Sequence, residues 1–551
     1  MHAVHDGQSG QRHYEYMNGV FLQLKPPLVE KISETSALER LPYAEGASWS
    51  TTLGCLPGTR VTTLSVIDDW SRSRDRYNIF LLKGVAGSGK SAISHTVAKA
   101  LQECGLLTSC FFFDRESSSR NTPRLLFTTI ARDIAGLHPA IAAEISASLE
   151  KEPALASADL SRQFEAFIAG PLRRHSINQH MVVVIDALDE AVHDDADTDL
   201  LSILRDGLSN LSPHFRILVT SRPTRAIDQF LSMQDHVTTH HINIDSLENT
   251  QDIASYVDTM LQDNRIRSQM GPSWPDEALI RDLKAMAGGL FIWIATVFAY
   301  LRTAYKPRAK LHALISKSHS RDPLEPTKKI DALYAGILEA CGDWDDADFR
   351  KDYALFMGSI MAVKRPLSFA ALCALHGRNQ ELSLDHLAQR FGSVLVGLQN
   401  EHEAIHTLHL SFREFITVRA AEKAVTQKFF LSEKEHSRRL GELCLRTMVR
   451  EFTIAPITGT GYLARGDDDG PGIPKLTGIS AQLLYGCEHW SDHIRDIESP
   501  TITLAAIMQM FLPYHNTTWI EIVAAASTFT GSLSVWRWLK VSVLLFQPRS
   551  Y

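Results

Sequence analysis

Short apolar runs alternate with amphipathic stretches between about residues 46 and 265. The runs are four or five residues long and rich in branched or aromatic side chains, which is typical of strands buried on both faces of a parallel sheet. They predict five strands in an α/β domain: Ile79–Leu82, Ser109–Phe113, Met181–Ile185, Arg216–Thr220 and His240–Ile244.

The pattern becomes mainly helical after about residue 266. One hairpin is expected within residues 328–425, and two segments rich in Pro, Gly or charge are predicted to be a linker, at Arg321–Thr327, and a loop, at Gly459–Thr477. The predicted helical segments are Leu28–Leu41, Ala278–Met286, Leu290–Leu301, residues 428–450 and the last 70 residues.

Composition narrows the class of protein. The chain has 551 residues, of which 44% are hydrophobic and 22% charged, so it can bury large cores, and disorder is excluded as its main character. The net charge of −7 argues against a general nucleic-acid binder. No apolar run approaches 18 residues and the N-terminus lacks the apolar core of a signal peptide. Seven scattered cysteines without a C-x-x-C pair fit a reducing compartment. We therefore expect a cytoplasmic protein that binds neither membrane nor nucleic acid.

A phosphate-binding motif follows the first predicted strand. The segment Gly84-Val-Ala-Gly-Ser-Gly-Lys-Ser91 fits G-x-x-x-x-G-K-[ST] in full, and a helix-like stretch follows it. Its glycines allow backbone N–H groups to face a phosphate, and the helix N-terminus adds its positive end. Lys90 would reach the β- and γ-phosphates, and the Ser91 hydroxyl would bind Mg²⁺. The candidate nucleotide-binding residues here are Gly84, Gly87, Ser88, Gly89, Lys90 and Ser91.

Two later strands end in polar residues that suit the same chemistry. Met181–Ile185 runs into Asp186, which could serve the Mg²⁺ shell, and then into Asp189 and Glu190, either of which could activate a water. The strand at Arg216–Thr220 is followed by Ser221 and Arg222, which places an arginine where it could sense a γ-phosphate.

Together these motifs resemble the NACHT class of STAND signal-transduction NTPases, in the form found in fungal NOD-like receptors. Four further segments are similar to those of the family: Cys55–Arg60 with Ile67 and Trp70, Gly288–Trp293, Leu408–Phe415 and Tyr485–His493. The resemblance covers about residues 41–525.

The resemblance implies a fold, a ligand and roles for residues. It implies a five-stranded parallel sheet in the order 5-1-4-3-2, then a helical domain, a winged helix and a C-terminal helical region. We predict the boundaries 1–45 for an N-terminal remnant, 46–265 for the nucleotide-binding domain, 266–325, 326–425 and 426–551. Thr59 and Arg60 belong to a segment that helps to cover the adenine and ribose, and His409 matches the histidine that contacts the β-phosphate of ADP.

The function implied is a molecular switch in intracellular signalling, of the kind used in NOD-like receptor immunity or incompatibility. ADP would hold the off state, ATP with Mg²⁺ the on state, hydrolysis would be slow, and activation would lead to self-association. Relatives usually carry an effector domain before this core and a repeat array after it, and neither pattern is evident, so we expect a truncated receptor. The alternatives are an interaction or decoy fragment that binds full-length relatives, and a P-loop ATPase motor or kinase.

Two segments resemble metal-binding motifs, but their sequences favour other structures. His402-Glu-Ala-Ile-His406 fits the zinc-protease motif, but its surroundings predict a hairpin, in which the two histidines would lie too far apart to chelate one zinc ion. The acidic stretch His193–Asp199 resembles a calcium loop but has Leu200 where glycine is needed, so a solvated loop is expected.

Overall fold

A computed structural model provides the structure of the chain. The residues it describes are 37–73, 75–175, 179–192, 198–270, 274, 276–304, 306–317, 325–377, 390–454, 457, 458, 460, 476–495 and 501–526. They form two compact units. The first contains Ser119–Asp252 and the residues up to Arg115, and the second contains Glu116–Ser118 and the residues from Ile253 onward. The predicted domain boundaries stay predictions.

The first unit is built on a five-stranded parallel sheet. Its strands are β1 (Ile79–Lys83), β2 (Leu107–Phe112), β3 (Met181–Asp186), β4 (Phe215–Ser221) and β5 (Val237–His241). The spatial order is β2-β3-β4-β1-β5, and each neighbouring pair is parallel. Read from the other edge this is 5-1-4-3-2, so the predicted α/β sheet and its strand order are confirmed.

Helices connect these strands. The α-helices that lie wholly in the first unit are α1 (Val61–Arg72), α2 (Lys90–Glu103), α3 (Leu126–Leu137), α4 (Pro139–Lys151), α5 (Leu160–Phe164), α6 (Gly170–Arg174), α7 (Thr198–Ser202) and α8 (Arg225–Leu231). The next helix, α9 (Leu247–Met260), begins in the first unit and continues into the second.

The sheet has a core on each face because successive strand side chains point in opposite directions. Val183 of β3 and Ile217 of β4 belong to one cluster, which includes the buried residues of α3. Val182 and Leu218, one position away, belong to the other cluster, which includes Ile67 and Trp70 of α1 and buried residues of α2. Burial on both faces explains why the central strands are continuous apolar runs.

The fifth strand differs from the sequence prediction. It was expected at His240–Ile244, but β5 lies at Val237–His241, with Ile79 of β1 opposite Val237. Its residues are mostly half-buried, because an edge strand pairs on one side only. Thr and His are therefore tolerated in β5, and the predicted segment overlaps the strand only at His240 and His241.

The second unit is largely helical. Its α-helices are the later part of α9 and α10 (Asn264–Met270), α11 (Glu277–Ala287), α12 (Phe291–Thr303), α13 (Pro307–Lys317), α14 (Pro326–Glu339), α15 (Ala347–Ala362), α16 (Phe369–His376), α17 (Leu410–Thr417), α18 (Glu433–Ile454), α19 (Ala481–Ile494) and α20 (Ile502–Ala526). Two short strands, β6 (Leu395–Val396) and β7 (His406–Thr407), form an antiparallel hairpin before α17. Helices with such a hairpin fit the predicted winged helix, which stays a prediction.

The hairpin decides against the zinc interpretation. His406 lies in β7 and pairs with Val396, whereas His402 lies in the exposed turn before it. Within the described residues, no group of three or more His, Cys, Asp or Glu side chains could hold a metal ion. Nor does any described helix combine the length and apolar character needed to cross a membrane.

Several sequence predictions fall wholly or partly outside the described residues. These are most of the helix Leu28–Leu41, residues 193–197 of the acidic loop, residues 321–324 of the linker, most of Gly459–Thr477 and the C-terminal residues 527–551.

Arg216 provides a test of this packing. Its fully buried guanidinium, at the start of β4, donates to the backbone carbonyls of Trp70, Ser73, Asp75 and Pro213. We expect Arg216→Ala to lower the free energy of unfolding by about 3 kcal/mol, because buried carbonyls would lose their donors. Denaturant unfolding followed by tryptophan fluorescence measures this loss.

The control for Arg216 is Arg225→Ala, at an exposed position at the start of α8. It should change the free energy of unfolding by less than about 0.5 kcal/mol. Equal effects of the two substitutions would refute a structural role for the Arg216 contacts.

Candidate functional site

The predicted phosphate loop lies between β1 and α2, at the carboxyl edge of the sheet. Gly87 and Gly89 have φ of 76° and 94°, a left-handed conformation that favours glycine. At Gly84 the constraint is close approach, since a Cβ there would lie 2.6 Å from Ser88 Oγ and 3.2 Å from Ile242 Cβ, and these neighbours would have to shift. The glycines of the motif are thus required by the shape of the loop, as the sequence predicted.

The interior of this loop suits a phosphate. Ser88 Oγ is buried without a hydrogen-bond partner among the described residues, which identifies unsatisfied polar capacity inside the loop. Lys90 Nζ donates to the carbonyls of Gly84 (2.8 Å) and Val85 (3.1 Å), and burial lowers the pKa of Lys90. Ser91 is exposed at the start of α2. A triphosphate with Mg²⁺ fits this donor set.

Asp186, at the end of β3, is buried and fixed by two hydroxyl groups. Its Oδ1 accepts from Ser94 Oγ of α2 (2.6 Å) and from Thr220 Oγ1 of β4 (2.5 Å). Ala187, the next residue, has a positive φ of 59°, and its N–H donates to Thr220 Oγ1 (3.0 Å). The carboxylate predicted to serve Mg²⁺ therefore lies beside the helix that follows the phosphate loop.

Asp189 and Arg222 form an ion pair at the same edge. Asp189 Oδ2 lies 3.2 Å from Arg222 Nε, and Asp189 Oδ1 accepts the Arg222 backbone N–H at 2.9 Å. Ser221 Oγ lies 3.4 Å from the same Oδ1. The predicted sensor arginine is held by the first of the two acidic residues that the sequence could not tell apart.

Glu190 has a different environment. Its Oε2 accepts the backbone N–H of Arg115 at 3.2 Å, and the Arg115 guanidinium donates to the Asp189 carbonyl. Burial, followed by repulsion from Asp189 and Asp114, raises the pKa of Glu190 to about 8. The two acidic residues are thus separated by their surroundings: Asp189 holds an arginine, whereas Glu190 favours its protonated form at neutral pH.

The segment before α1 contacts the phosphate loop directly. Arg60 is buried, has a φ of 60°, and its guanidinium donates to the Ser88 carbonyl at 2.5 Å. Its backbone N–H donates to Asp252 Oδ2 at 3.0 Å, and burial lowers the pKa of Arg60. Thr59, also buried, donates to the Leu56 carbonyl. The placement of Arg60 agrees with its predicted place beside the nucleotide site.

His409 lies in the second unit, at the N-cap of α17. Its Nδ1 accepts the backbone N–H of Ser411 at 3.1 Å and lies 2.8 Å from Ser411 Oγ, which is itself 2.9 Å from the Tyr334 hydroxyl. Because Nδ1 is an acceptor here, the proton of the neutral imidazole lies on Nε2.

In the first unit the structure brings together all the predicted site residues except His409, which belongs to the second unit. It also adds Ser94 and Arg115, which the sequence analysis missed. The spacing of Ser94, one helical turn after Ser91, was the available signal. No sequence signal was available for Arg115, because every residue except proline has a backbone N–H and its hydrogen bond cannot be read from residue type.

Part of the chain is similar to known proteins. Residues 58–222 match the family described as Nephrocystin 3, N-terminal. The Vegetative incompatibility protein HET-E-1 of Podospora anserina is 26% identical over 349 residues, which are 58% of this chain and 23% of that protein. The chain thus spans about a quarter of the length of this relative.

Two solved structures are more distantly similar. A STAND protein with a tetratricopeptide repeat sensor from Pyrococcus horikoshii has a TM-score of 0.39 and 12% identity, covering 91% of this chain and 60% of that one. A structure of Drosophila ORC bound to DNA has a TM-score of 0.30 and 14% identity, covering 70% and 96%. A TM-score below 0.5 does not establish a common fold.

The phosphate loop between β1 and α2, with acidic residues and an arginine at the neighbouring strand ends, defines a P-loop NTPase. Its sheet order and motifs narrow the class further. Together with the family match and the incompatibility protein, these features show that the chain is similar to fungal NACHT-type STAND NTPases.

The raised pKa of Glu190 predicts how the stability of the fold depends on pH. A carboxyl whose pKa is raised on folding stabilises the fold below its unfolded pKa of 4.5, and that stability is lost as pH rises through about 8. We therefore expect Glu190→Gln to gain stability relative to the wild type as pH rises from 5 to 8. Denaturant unfolding at a series of pH values measures the difference.

The control for Glu190 is Glu103→Gln, at an exposed glutamate of α2. Its unfolding profile should run parallel to that of the wild type. A parallel profile for Glu190→Gln as well would show that Glu190 ionises normally in the folded protein.

Proposed function

We propose that this chain is a nucleotide-dependent molecular switch, with ADP in its off state and ATP with Mg²⁺ in its on state. The observation that carries the proposal is the phosphate loop, whose buried Ser88 hydroxyl has no hydrogen-bond partner in the described part of the chain, beside the Asp186 carboxylate and the Asp189–Arg222 pair. A bound nucleotide supplies the negative charge that such a loop neutralises, and Mg²⁺ joins the phosphates to protein oxygens.

The present partners of two cationic side chains, Lys90 and Arg222, support a switch. Lys90 is engaged by two loop carbonyls and Arg222 by Asp189. Both cations would have to exchange these partners for phosphate oxygens when ATP binds. A ligand shifts an equilibrium only by its different affinity for the two states, and such exchanges provide that difference.

His409 is the proposed latch of the off state. With the proton of its neutral form on Nε2, the imidazole can donate a hydrogen bond to a phosphate oxygen of ADP. Loss of this contact would favour the on state, in which we propose that copies of the chain associate.

The biological setting is proposed from the relative. HET-E-1 is named as a vegetative incompatibility protein, and we propose that this chain acts in cytoplasmic signalling of a related kind, in incompatibility or immunity. Full-length proteins of the same family are proposed partners of this domain.

Lys90→Ala tests nucleotide binding. Two charge-assisted hydrogen bonds to phosphate are worth about 3 kcal/mol together, so the affinity should fall at least about 100-fold. The purified protein is denatured and the released nucleotide is identified by ion-exchange chromatography. We expect stoichiometric ADP from the wild type and none from Lys90→Ala.

Lys99→Ala is the matched control, since Lys99 is an exposed lysine on the same helix. It should retain its nucleotide. If the wild type releases none, the switch proposal fails, and an interaction fragment without a working site becomes the better account.

His409→Ala tests the latch. The variant should lose ADP more readily and self-associate with ATP and Mg²⁺ at concentrations where the wild type is monomeric. Size-exclusion chromatography with light scattering gives the mass of each form. His402→Ala, in the exposed hairpin turn, is the control and should behave as wild type. A His409→Ala protein that stays monomeric and loaded with ADP under ATP rules out the latch.

A further inference from the structure

The Asp186 carboxylate is held by hydroxyl groups from two other elements. Ser94 of α2 and Thr220 of β4 are both completely buried, and both donate to the same oxygen, Oδ1. Among the described residues, no hydrogen bond is made to Oδ2. The two oxygens of this carboxylate are therefore not equivalent.

We propose that Ser94 and Thr220 are positioning residues that direct Asp186 Oδ2 toward the divalent cation. This inference rests on the proposed nucleotide site and deepens it. Two O–H donors place positive hydrogen atoms against Oδ1, which disfavours a cation at that oxygen. Oδ2 is then the oxygen that remains for the Mg²⁺ shell, and rotation of the carboxylate would break one or both bonds.

The direction of the Thr220 bond is fixed by its other partner. Thr220 Oγ1 accepts the N–H of Ala187, so its one proton is available for Asp186. Ala187 has a left-handed conformation, which costs a non-glycine residue about 1 kcal/mol and must be held by its surroundings. The Thr220 hydroxyl thus fixes both the carboxylate and the turn that leads to Asp189 and Glu190.

Ser94 connects the carboxylate to the phosphate loop. It lies one helical turn after Ser91, the predicted Mg²⁺ ligand, so both serines face the same side of α2. The bond from Ser94 sets the position of Asp186 relative to Ser91. Positioning of this kind lowers the cost of assembling a metal site, because the ligands need not be reorganised when the cation arrives.

A purely structural role makes a different prediction. Loss of a buried hydroxyl would lower stability but leave the Mg²⁺ dependence of binding unchanged. Loss of a positioning bond would weaken the response to Mg²⁺ and leave metal-free binding intact.

The experiment measures the affinity for a fluorescent ATP analogue, first in EDTA and then across a Mg²⁺ titration. The variants are Ser94→Ala, Thr220→Val and Thr220→Ser. Thr220→Val keeps the shape of the side chain and removes its hydroxyl, whereas Thr220→Ser keeps the hydroxyl. Ser71→Ala, a buried serine of α1 that donates to the Asp68 carbonyl, is the control for loss of a buried hydroxyl.

We expect the affinities in EDTA to agree within about twofold for all variants. The Mg²⁺ concentration at half-effect should rise about tenfold in Ser94→Ala and Thr220→Val, and should stay near the wild-type value in Thr220→Ser and Ser71→Ala. Asp186→Asn should abolish the Mg²⁺ effect. If Thr220→Val does not fold, Ser94→Ala and Thr220→Ser still decide the question.

The outcomes separate this inference from the proposed function. Unchanged Mg²⁺ midpoints in Ser94→Ala and Thr220→Val, with an altered response in Asp186→Asn, would overturn the positioning role and leave the nucleotide site standing. A wild-type protein that binds no nucleotide with or without Mg²⁺ would overturn both.

Discussion

The backbone pairing of β4 with β1 on one side and β3 on the other is the constraint on which the site depends. Lys83, the last residue of β1, lies opposite Ser221, and Ile185 of β3 lies opposite Val219. This parallel register makes the three strands end at one edge. The phosphate loop, the acidic turn and Arg222 follow those ends directly, so their proximity is a consequence of strand pairing. A shift of one strand by one residue would reverse the faces of its side chains as well as move its terminal residue.

Several charged side chains are buried at this edge of the sheet. Their partners within the protein compensate only part of the free-energy cost of removing them from water. Desolvation lowers the pKa of Lys90 and raises that of Glu190, because burial disfavours the charged form of each side chain. Lys90 is stabilised by carbonyl dipoles, Arg222 by the Asp189 carboxylate, and Arg60 by the Ser88 carbonyl. A polyanion entering the loop would exchange some of these partners for stronger ones. Because the side chains would have to leave their present partners, a nucleotide that binds here could change the conformation of the protein.

The parts of the site that the sequence predicted are those that require particular residue types. The loop glycines are needed for positive φ or close approach, and the central strands are apolar because they are covered on both faces. Positions at which the fold accepts many residue types were predicted less well. The edge strand β5 accepts Thr and His and was placed three residues late. Ser94 was missed because its spacing after Ser91 is a weak signal until β3 is seen to bring Asp186 beside α2. The backbone N–H of Arg115 has no sequence signature at all.

Asp189 and Glu190, the two candidates for activating water, are both restrained by their surroundings. Asp189 is committed to Arg222 through both its carboxylate oxygens, so using it as a base would release the arginine. Glu190, with a pKa of about 8, is mostly protonated at neutral pH and must lose its proton before it can accept another. Neither carboxylate is ready to act until a ligand rearranges the edge. This arrangement agrees with the slow hydrolysis that the sequence resemblance implies for the proposed switch.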